Sequence, residues 1–214
     1  MIYCMSDIHG EYDRFLTMLE KINFSECDVL YVLGDVVDRK PNGIDILLDI
    51  MSRPNVHMIL GNHEAMLYST LGPLGTPGAR QLWQQNGGAP TRRDLLYHRT
   101  AEERNKVLRF IEKLPDHLDI EVGERRFHLV HGSASDNRED RIWERPDPKA
   151  PAPMPGVTVI VGHTPTPLIT GNYEDPVCIW HGDGIIDIDC GCGNKSELRR
   201  LACLRLDDMT EFYV

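Results

Sequence analysis

The chain has 214 residues, 41% of them hydrophobic and 26% charged, enough for one domain with a substantial buried core. Its formal net charge of −10 argues against a general binder of nucleic acid or of anionic membranes, which carries a basic face. Six cysteines without a CxxC pair argue against a zinc ribbon or a thioredoxin-like site; together with an N-terminus that meets charge almost at once, this leads us to expect a cytoplasmic protein with free thiols and no signal peptide.

Ile2–Met5 is a short apolar run of strand length. Residues Glu11–Ile22 carry Phe15, Leu16, Leu19 and Ile22 at helical spacing. Val29–Leu33 is a second strand-like run. Pro41 and Asn42 are start signals for a helix over Ile44–Met51, and Val56–Leu60 is a third apolar run. This βαβαβ order implies a parallel sheet buried on both faces. Gly72–Gly78 is a turn-rich break, and a helix follows over Ala101–Lys113, stopped by Pro115. We read 72–115 as a helical insertion within a single domain, 1–214. The second half reads mostly as strand: Leu118–Val122, Phe127–Val130, Val157–Val161, Ile185–Ile188 and Leu201–Leu206, with a Pro-rich loop over Pro146–Pro155. The expected fold is α/β, a two-sheet β-sandwich flanked by helices, with strand-end loops meeting at one edge.

Polar groups follow the apolar runs. They are Asp7 and His9 after the first, Asp35, Asp38 and Arg39 after the second, and Asn62, His63 and Glu64 after the third. His131 follows Phe127–Val130, and His163 follows Val157–Val161. Ligand sites in such sheets lie beyond the carboxyl ends of the strands. Asp, His and Asn without cysteine suit Mn, Fe, Zn or Co. Six ligand groups are too many for one catalytic ion with an open position; they suit two ions sharing a carboxylate, as in phosphoryl transfer.

DIHG (Asp7–Gly10), GDVVDR (Gly34–Arg39), GNHE (Gly61–Glu64), VHG (Val130–Gly132) and GHTP (Gly162–Pro165) resemble, in this order, the signature blocks of the phosphoprotein-phosphatase branch of calcineurin-like metallophosphoesterases. The spacing, and the stretch Leu82–Gly88, are similar to those of small bacterial and bacteriophage members. The resemblance runs from Met5 to about Asp189. It implies that Asp7 and His9 hold a first metal, Asp35 bridges two, and Asn62, His131 and His163 complete the second. It implies His63 as general acid oriented by Asp38, with Arg39 and Arg145 gripping phosphate. The two ions would be manganese first, with iron, zinc or a mixed pair as the other choices. The activity implied is hydrolysis of phosphoserine and phosphothreonine by a hydroxide held between the metals. The partner would be a phosphorylated protein or small phosphoester, with neither nucleic acid nor membrane involved.

Two features pull toward the sister group, the symmetrical diadenosine tetraphosphatases. Leu60 stands where many protein phosphatases of the branch carry arginine, and Asp189–Cys192 resembles a Cys-containing segment of the sister group. That group usually lacks the counterpart of Asp38. A bis(5'-nucleosyl)-tetraphosphatase or nucleotide phosphatase is therefore the alternative activity. A non-catalytic phosphate-binding module is the alternative of another class.

Taken singly, the same residues have plainer readings. Asp7 and His9 read as a capped turn, and Gly34–Arg39 as a turn with a surface ion pair. Asn62 reads as a helix N-cap. His57, His98, His117 and His128 read as structural or solvated, His181 as part of a turn, and Trp83, Trp143, Tyr3 and Tyr31 as packing residues. Arg92, Arg93, Arg99, Arg104 and Arg109 read as a solvated face, and Cys190 and Cys192 as small residues of a packed turn.

Overall fold

The computed structural model describes residues 1–214. Strands β1 (Ile2–Met5), β2 (Val29–Val32) and β3 (Val56–Met58) run parallel, joined by helices α1 (Tyr12–Lys21) and α2 (Gly43–Ser52). Period-two alternation divides their side chains. Tyr3, Met5, Leu30 and Val32 face a cluster with Phe15 and Leu19 of α1 and Ile46 and Ile50 of α2. Cys4, with Leu33 and Ile59 just past the strands, faces the second sheet.

That second sheet contains β4 (His117–Val122), β5 (Arg125–Val130), β6 (Thr158–Val161), β7 (Trp180–His181) and β8 (Ile185–Asp187), in the spatial order β4-β5-β6-β8-β7. Strands β5, β6 and β8 are parallel, and the edge strands β4 and β7 are antiparallel. Phe127, Leu129, Ile160 and Ile186 fill the space between the sheets. Each such fully buried side chain contributes roughly 1.5–3 kcal/mol. Strands β9 (Ala202–Arg205) and β10 (Thr210–Tyr213) complete the first sheet as β10-β9-β1-β2-β3. The fold is the expected two-sheet sandwich with helices outside.

Between residues 72 and 115 lie α4 (Ala79–Gln85), α5 (Ala89–Tyr97) and α6 (Ala101–Glu112). Thr100 and Glu103 close a reciprocal capping box at the start of α6. Further elements were not expected from the sequence: α3 (Asn62–Leu71), α7 (Arg138–Trp143), α8 (Pro167–Thr170), β10, and β7, where Trp180 and His181 pair with β8 instead of forming a turn. Helix α3 escapes periodicity because its first turn buries Asn62, His63 and Glu64 alongside the later Met66 and Leu67. Gly61, not Asn62, takes the N-cap position, and Asn62 is the first helical residue. Tyr3 is buried as expected, whereas Tyr31 is only partly buried and packs against His57.

The carboxyl ends of β1, β2, β3, β5 and β6 meet at one edge. Backbone hydrogen bonds lace their loops together: Asp7 N–H to the Gly34 carbonyl (3.2 Å), His9 N–H to the Asp35 carbonyl (3.0 Å) and Gly162 N–H to the His131 carbonyl (2.9 Å).

Candidate metal centre

The loop backbones at this edge are strained. Asp7 (φ 54°), His9 (47°), Asp35 (53°), Asp38 (73°), Arg39 (64°) and His163 (67°) all adopt left-handed conformations; elsewhere only Asn23 and Met209 do so without being glycine. Such residues cost roughly 1–3 kcal/mol each and persist where surrounding structure over-determines them. Neighbouring glycines make room. A Cβ on Gly162 would run into Asp7 Oδ2 and Ser6 Oγ, and one on Gly61 into Asp35 Oδ1.

The six sequence-selected ligand groups are brought together. His9 donates from Nδ1 to the Val37 carbonyl (2.8 Å), which turns Nε2 inward. That Nε2 is buried with no hydrogen-bond partner, 3.7 Å from Asp7 Oδ1 and 3.8 Å from Asp35 Oδ2. These separations are too long for hydrogen bonds and suit donors arranged around one cation. His131 donates from Nδ1 to the Leu33 carbonyl (2.6 Å), and its Nε2 lies 3.0 Å from Asn62 Oδ1 and 3.3 Å from Asp35 Oδ1. His163 Nδ1 lies 3.0 Å from the same Asn62 oxygen. Asp35 thus belongs to two groups of converging ligand atoms, one with His9 and His63, the other with His131 and His163. Asp7 accepts the Ser6 hydroxyl and the His163 N–H (2.9 Å) on Oδ2, leaving Oδ1 toward His9.

Electrostatics fit cations. Asp7 and Asp35 are 1% exposed, and neither has a lysine or arginine partner, whereas buried charges are normally paired or metal-bound. Burial, followed by the Coulombic effect of His63, holds His9 well below the usual imidazole range; burial and His131 push His163 down to about 3. Both are therefore neutral, the form in which imidazole ligates metal. Burial opposes protonation of His131, but Asp35 outweighs it and raises the pKa to about 10, so without metal this imidazolium offsets the Asp35 charge and would give up its proton to ligate a cation. Oxygen and imidazole donors without thiolate suit divalent or trivalent first-row ions.

Beside the ligands sits a hydrogen-bonded relay. His63 Nδ1 donates to Asp38 Oδ2 (2.7 Å), which points Nε2 toward Asp35 Oδ2, 3.8 Å away. Burial disfavours the imidazolium, but Asp35 and Asp38 outweigh it and raise the His63 pKa. Asp38 is fully buried. Its N–H donates to Thr91 Oγ1 (2.9 Å), and its Oδ2 also receives the Trp83 indole N–H (2.7 Å). Trp83 is therefore buried as expected, yet it carries a polar role that composition alone conceals. Trp83→Phe keeps the ring and removes the N–H. It is expected to destabilise the fold by about 1.5–3 kcal/mol in chemical denaturation, the range for a charge-assisted hydrogen bond. A change below about 0.5 kcal/mol, the scatter of surface substitutions, would show Asp38 to be held by its other contacts.

Glu64 has a role that its place after the third apolar run does not by itself assign. Its carboxylate accepts three backbone N–H groups, from Asp35 (2.8 Å), Val36 (2.9 Å) and Val37 (3.2 Å), and ties the turn after β2 to the first turn of α3. Burial and the nearby Asp35 push its pKa up to about 7, against donors that favour the carboxylate. The available signal was a glutamate in the first turn of a helix directly behind two site residues.

Above the ligands opens a cleft of about 990 Å³. Asn62, His63, His163, Arg39 and Arg145 line it, so both sequence-selected arginines face the same space as His63. Trp143 packs against the hydrophobic core as expected and also lines the cleft, edge-on to the His163 ring at 6.2 Å. Leu60 is in the hydrophobic core and supplies nothing to the cleft. His181 pairs with Glu211 (2.6 Å), away from the site. His117 and His128 bond Asp116 and Asp119 on the second sheet. Cys190 and Cys192 are buried, and burial raises both thiols, Cys192 to about 12. No helix is long and apolar enough to cross a membrane.

Comparison with known proteins agrees with this geometry. The chain is 29% identical over 140 residues to serine/threonine-protein phosphatase 2 of Salmonella typhimurium (strain LT2), covering 65% of this chain and 61% of that protein. It is 39% identical over 67 residues to the symmetrical bis(5'-nucleosyl)-tetraphosphatase of Buchnera aphidicola subsp. Baizongia pistaciae (strain Bp), covering 30% of this chain and 24% of that one. The matches thus span less than two thirds of these curated relatives. A solved structure described as a putative diadenosine tetraphosphatase superposes with a TM-score of 0.66 at 18% identity, covering 100% of this chain and 92% of the other. A serine/threonine phosphatase from Saccharomyces cerevisiae with similarity to human PP5 gives 0.61 at 14%, covering 100% and 78%. Both likenesses concern the fold. The family model for calcineurin-like phosphoesterases matches residues 1–196, and with the ligand blocks converging as they do, the chain belongs to that family of metal-dependent phosphoester hydrolases.

Proposed function

We propose that the protein is a phosphomonoesterase acting on phosphoserine and phosphothreonine, by direct in-line attack on phosphorus without a covalent phosphoenzyme. Asp7, His9 and Asp35 would hold one cation, and Asp35, Asn62, His131 and His163 the other. Bound there, two cations lower the pKa of water and neutralise charge on the phosphoryl oxygens.

The observation that carries the proposal is the Asp38–His63 pair, which opens onto the same cleft as Arg39 and Arg145. Asp38 fixes the tautomer, with the proton on Nδ1 shared toward the carboxylate, and favours imidazolium. His63 Nε2 then carries the proton that a departing alkoxide needs. Arg39 and Arg145 present planar forks to the non-bridging phosphate oxygens and orient the ester for displacement. An alkoxide is a poor leaving group, so an acid in this place is of most use for serine and threonine esters.

His63→Asn is expected to slow hydrolysis of a phosphoserine peptide by about 10²–10⁴-fold. With p-nitrophenyl phosphate, whose leaving group barely needs a proton, the loss should stay within about tenfold. Steady-state kinetics of both substrates with manganese decide; equal losses remove His63 from the role of acid.

A second reading places the scissile bond in a dinucleoside polyphosphate. The size of the cleft favours it. Against it stand Asp38 and the longer likeness to the Salmonella typhimurium phosphatase, 140 residues against 67. Phosphopeptide and diadenosine tetraphosphate assayed side by side separate the two, and more than about tenfold higher kcat/KM for the dinucleotide would replace the first reading. Absence of any manganese-dependent turnover of p-nitrophenyl phosphate would favour a non-catalytic phosphate-binding module over both.

A further inference from the structure

The cleft carries more positive charge than one phosphate uses. Besides Arg39 and Arg145, it is lined by Lys40, Lys195 and Arg199, in a chain of net charge −10. Asp175 is the one acid among its lining residues. The three extra cations share a wall with Arg39. Glu11 Oε1 stands behind them and pairs with both Lys40 (3.4 Å) and Arg199 (3.2 Å).

Hydrogen bonds fix the arginines of this wall. Arg199 donates from Nε to the Cys192 carbonyl (3.2 Å) and from Nη1 to the Ser196 carbonyl (3.2 Å), which ties it to the loop that carries Lys195. Arg39 Nη1 donates to Asn194 Oδ1 (3.1 Å) in the same loop. Gly193 seats the loop on the metal centre: a Cβ there would overlap the His9 side chain at 2.5 Å from its Cβ. Lys195 is exposed and has neither an ion-pair nor a hydrogen-bond partner. Glu11 offsets only Lys40 and Arg199, so Arg39 and Lys195 have no ion-pair partner, and Asp175 is the one acid of the lining. Charge gathered against the overall sign of a protein raises the local concentration of an opposite ligand.

We propose that Lys40, Lys195 and Arg199 form a second anion subsite, which binds a further phosphate of the substrate beside the one being hydrolysed. The inference rests on the phosphoesterase reading and sharpens its substrate class to esters carrying at least two phosphate groups. The second group has two chemical sources: the next phosphate of a nucleotide chain, or a neighbouring phosphoresidue of a peptide.

The test is calorimetric titration of manganese-loaded protein with hydrolysis-resistant ligands in two arms. One arm compares peptides bearing one or two difluoromethylene phosphonates; the other compares adenosine monophosphonate with α,β-methylene adenosine diphosphate. In the wild type the second anionic group is expected to tighten binding about tenfold in at least one arm, and that arm names the source. In Lys40→Gln/Lys195→Gln the gain should shrink to about threefold or less. The ratio within each protein cancels any general loss, and thermal melting confirms that the variant is folded. Equal affinities for ligands with one and with two anionic phosphorus groups in both arms, or a gain that survives the double substitution, overturns the subsite. Turnover of p-nitrophenyl phosphate, measured separately, tests the phosphoesterase reading by itself, because the subsite is read from binding alone.

Discussion

Glu64→Ala is expected to lower the free energy of unfolding by about 3–5 kcal/mol, a drop in thermal midpoint of roughly 6–20 °C for a domain of this size. The reason is geometric. Three consecutive N–H groups, of Asp35, Val36 and Val37, converge on the two oxygens of this side chain, and no water-accessible alternative exists at zero exposure. Truncation leaves all three unsatisfied in the interior. Glu64→Gln should rank between wild type and alanine, because its one carbonyl can serve part of the set while its amide meets donors head-on. The turn those N–H groups hold is the one that presents Asp35, so activity should fall further than stability alone explains. Urea denaturation of the three proteins checks the order. A cost under about 1 kcal/mol for alanine would mean that the turn is held by its other contacts.

The second large effect is expected at Asp35. Asp35→Asn keeps the shape and one carbonyl to accept the His63 N–H, now at 3.0 Å from Oδ1, but removes the charge shared by both groups of ligand atoms. Turnover of p-nitrophenyl phosphate should drop by at least about 10³-fold. Elemental analysis should show fewer than two ions per chain. Manganese should raise the wild-type thermal midpoint, by the equivalent of about 2.7 kcal/mol at a hundred times the dissociation constant, and should do little for the variant. Full occupancy by two ions together with normal turnover in Asp35→Asn would contradict a bridging position for this residue.

Much of this architecture was legible in the residues. β1 to β3 announce themselves because buried parallel strands are nearly all apolar, and the helices between them show a clean 3.6-residue rhythm through Phe15, Leu19, Ile46 and Ile50. The ligand set was legible because polar side chains directly after such strands have little packing role. What stayed hidden obeys the same physics. Helix α3 buries three polar residues in its first turn, which erases the rhythm that marks other helices. Glu64 and Trp83 act through hydrogen bonds to groups distant in sequence, and nothing local signals a bond between Trp83 and Asp38. The cation wall joins Lys40 to Lys195 and Arg199 across the whole chain, a juxtaposition that only the folded topology creates.

The left-handed turns around the ligands set stability against activity in this chain. At those six positions glycine would relax the backbone, so a laboratory screen that rewards heat resistance alone should collect Arg39→Gly, a sturdier molecule without the proposed phosphate grip, and reject Asp38→Gly, which strands the buried His63 and Trp83 donors. Selection for hardiness and selection for chemistry thus pull in opposite directions at Arg39 and in the same direction at Asp38, and consensus-style stabilisation of such a scaffold is best confined to sites far from the strand ends.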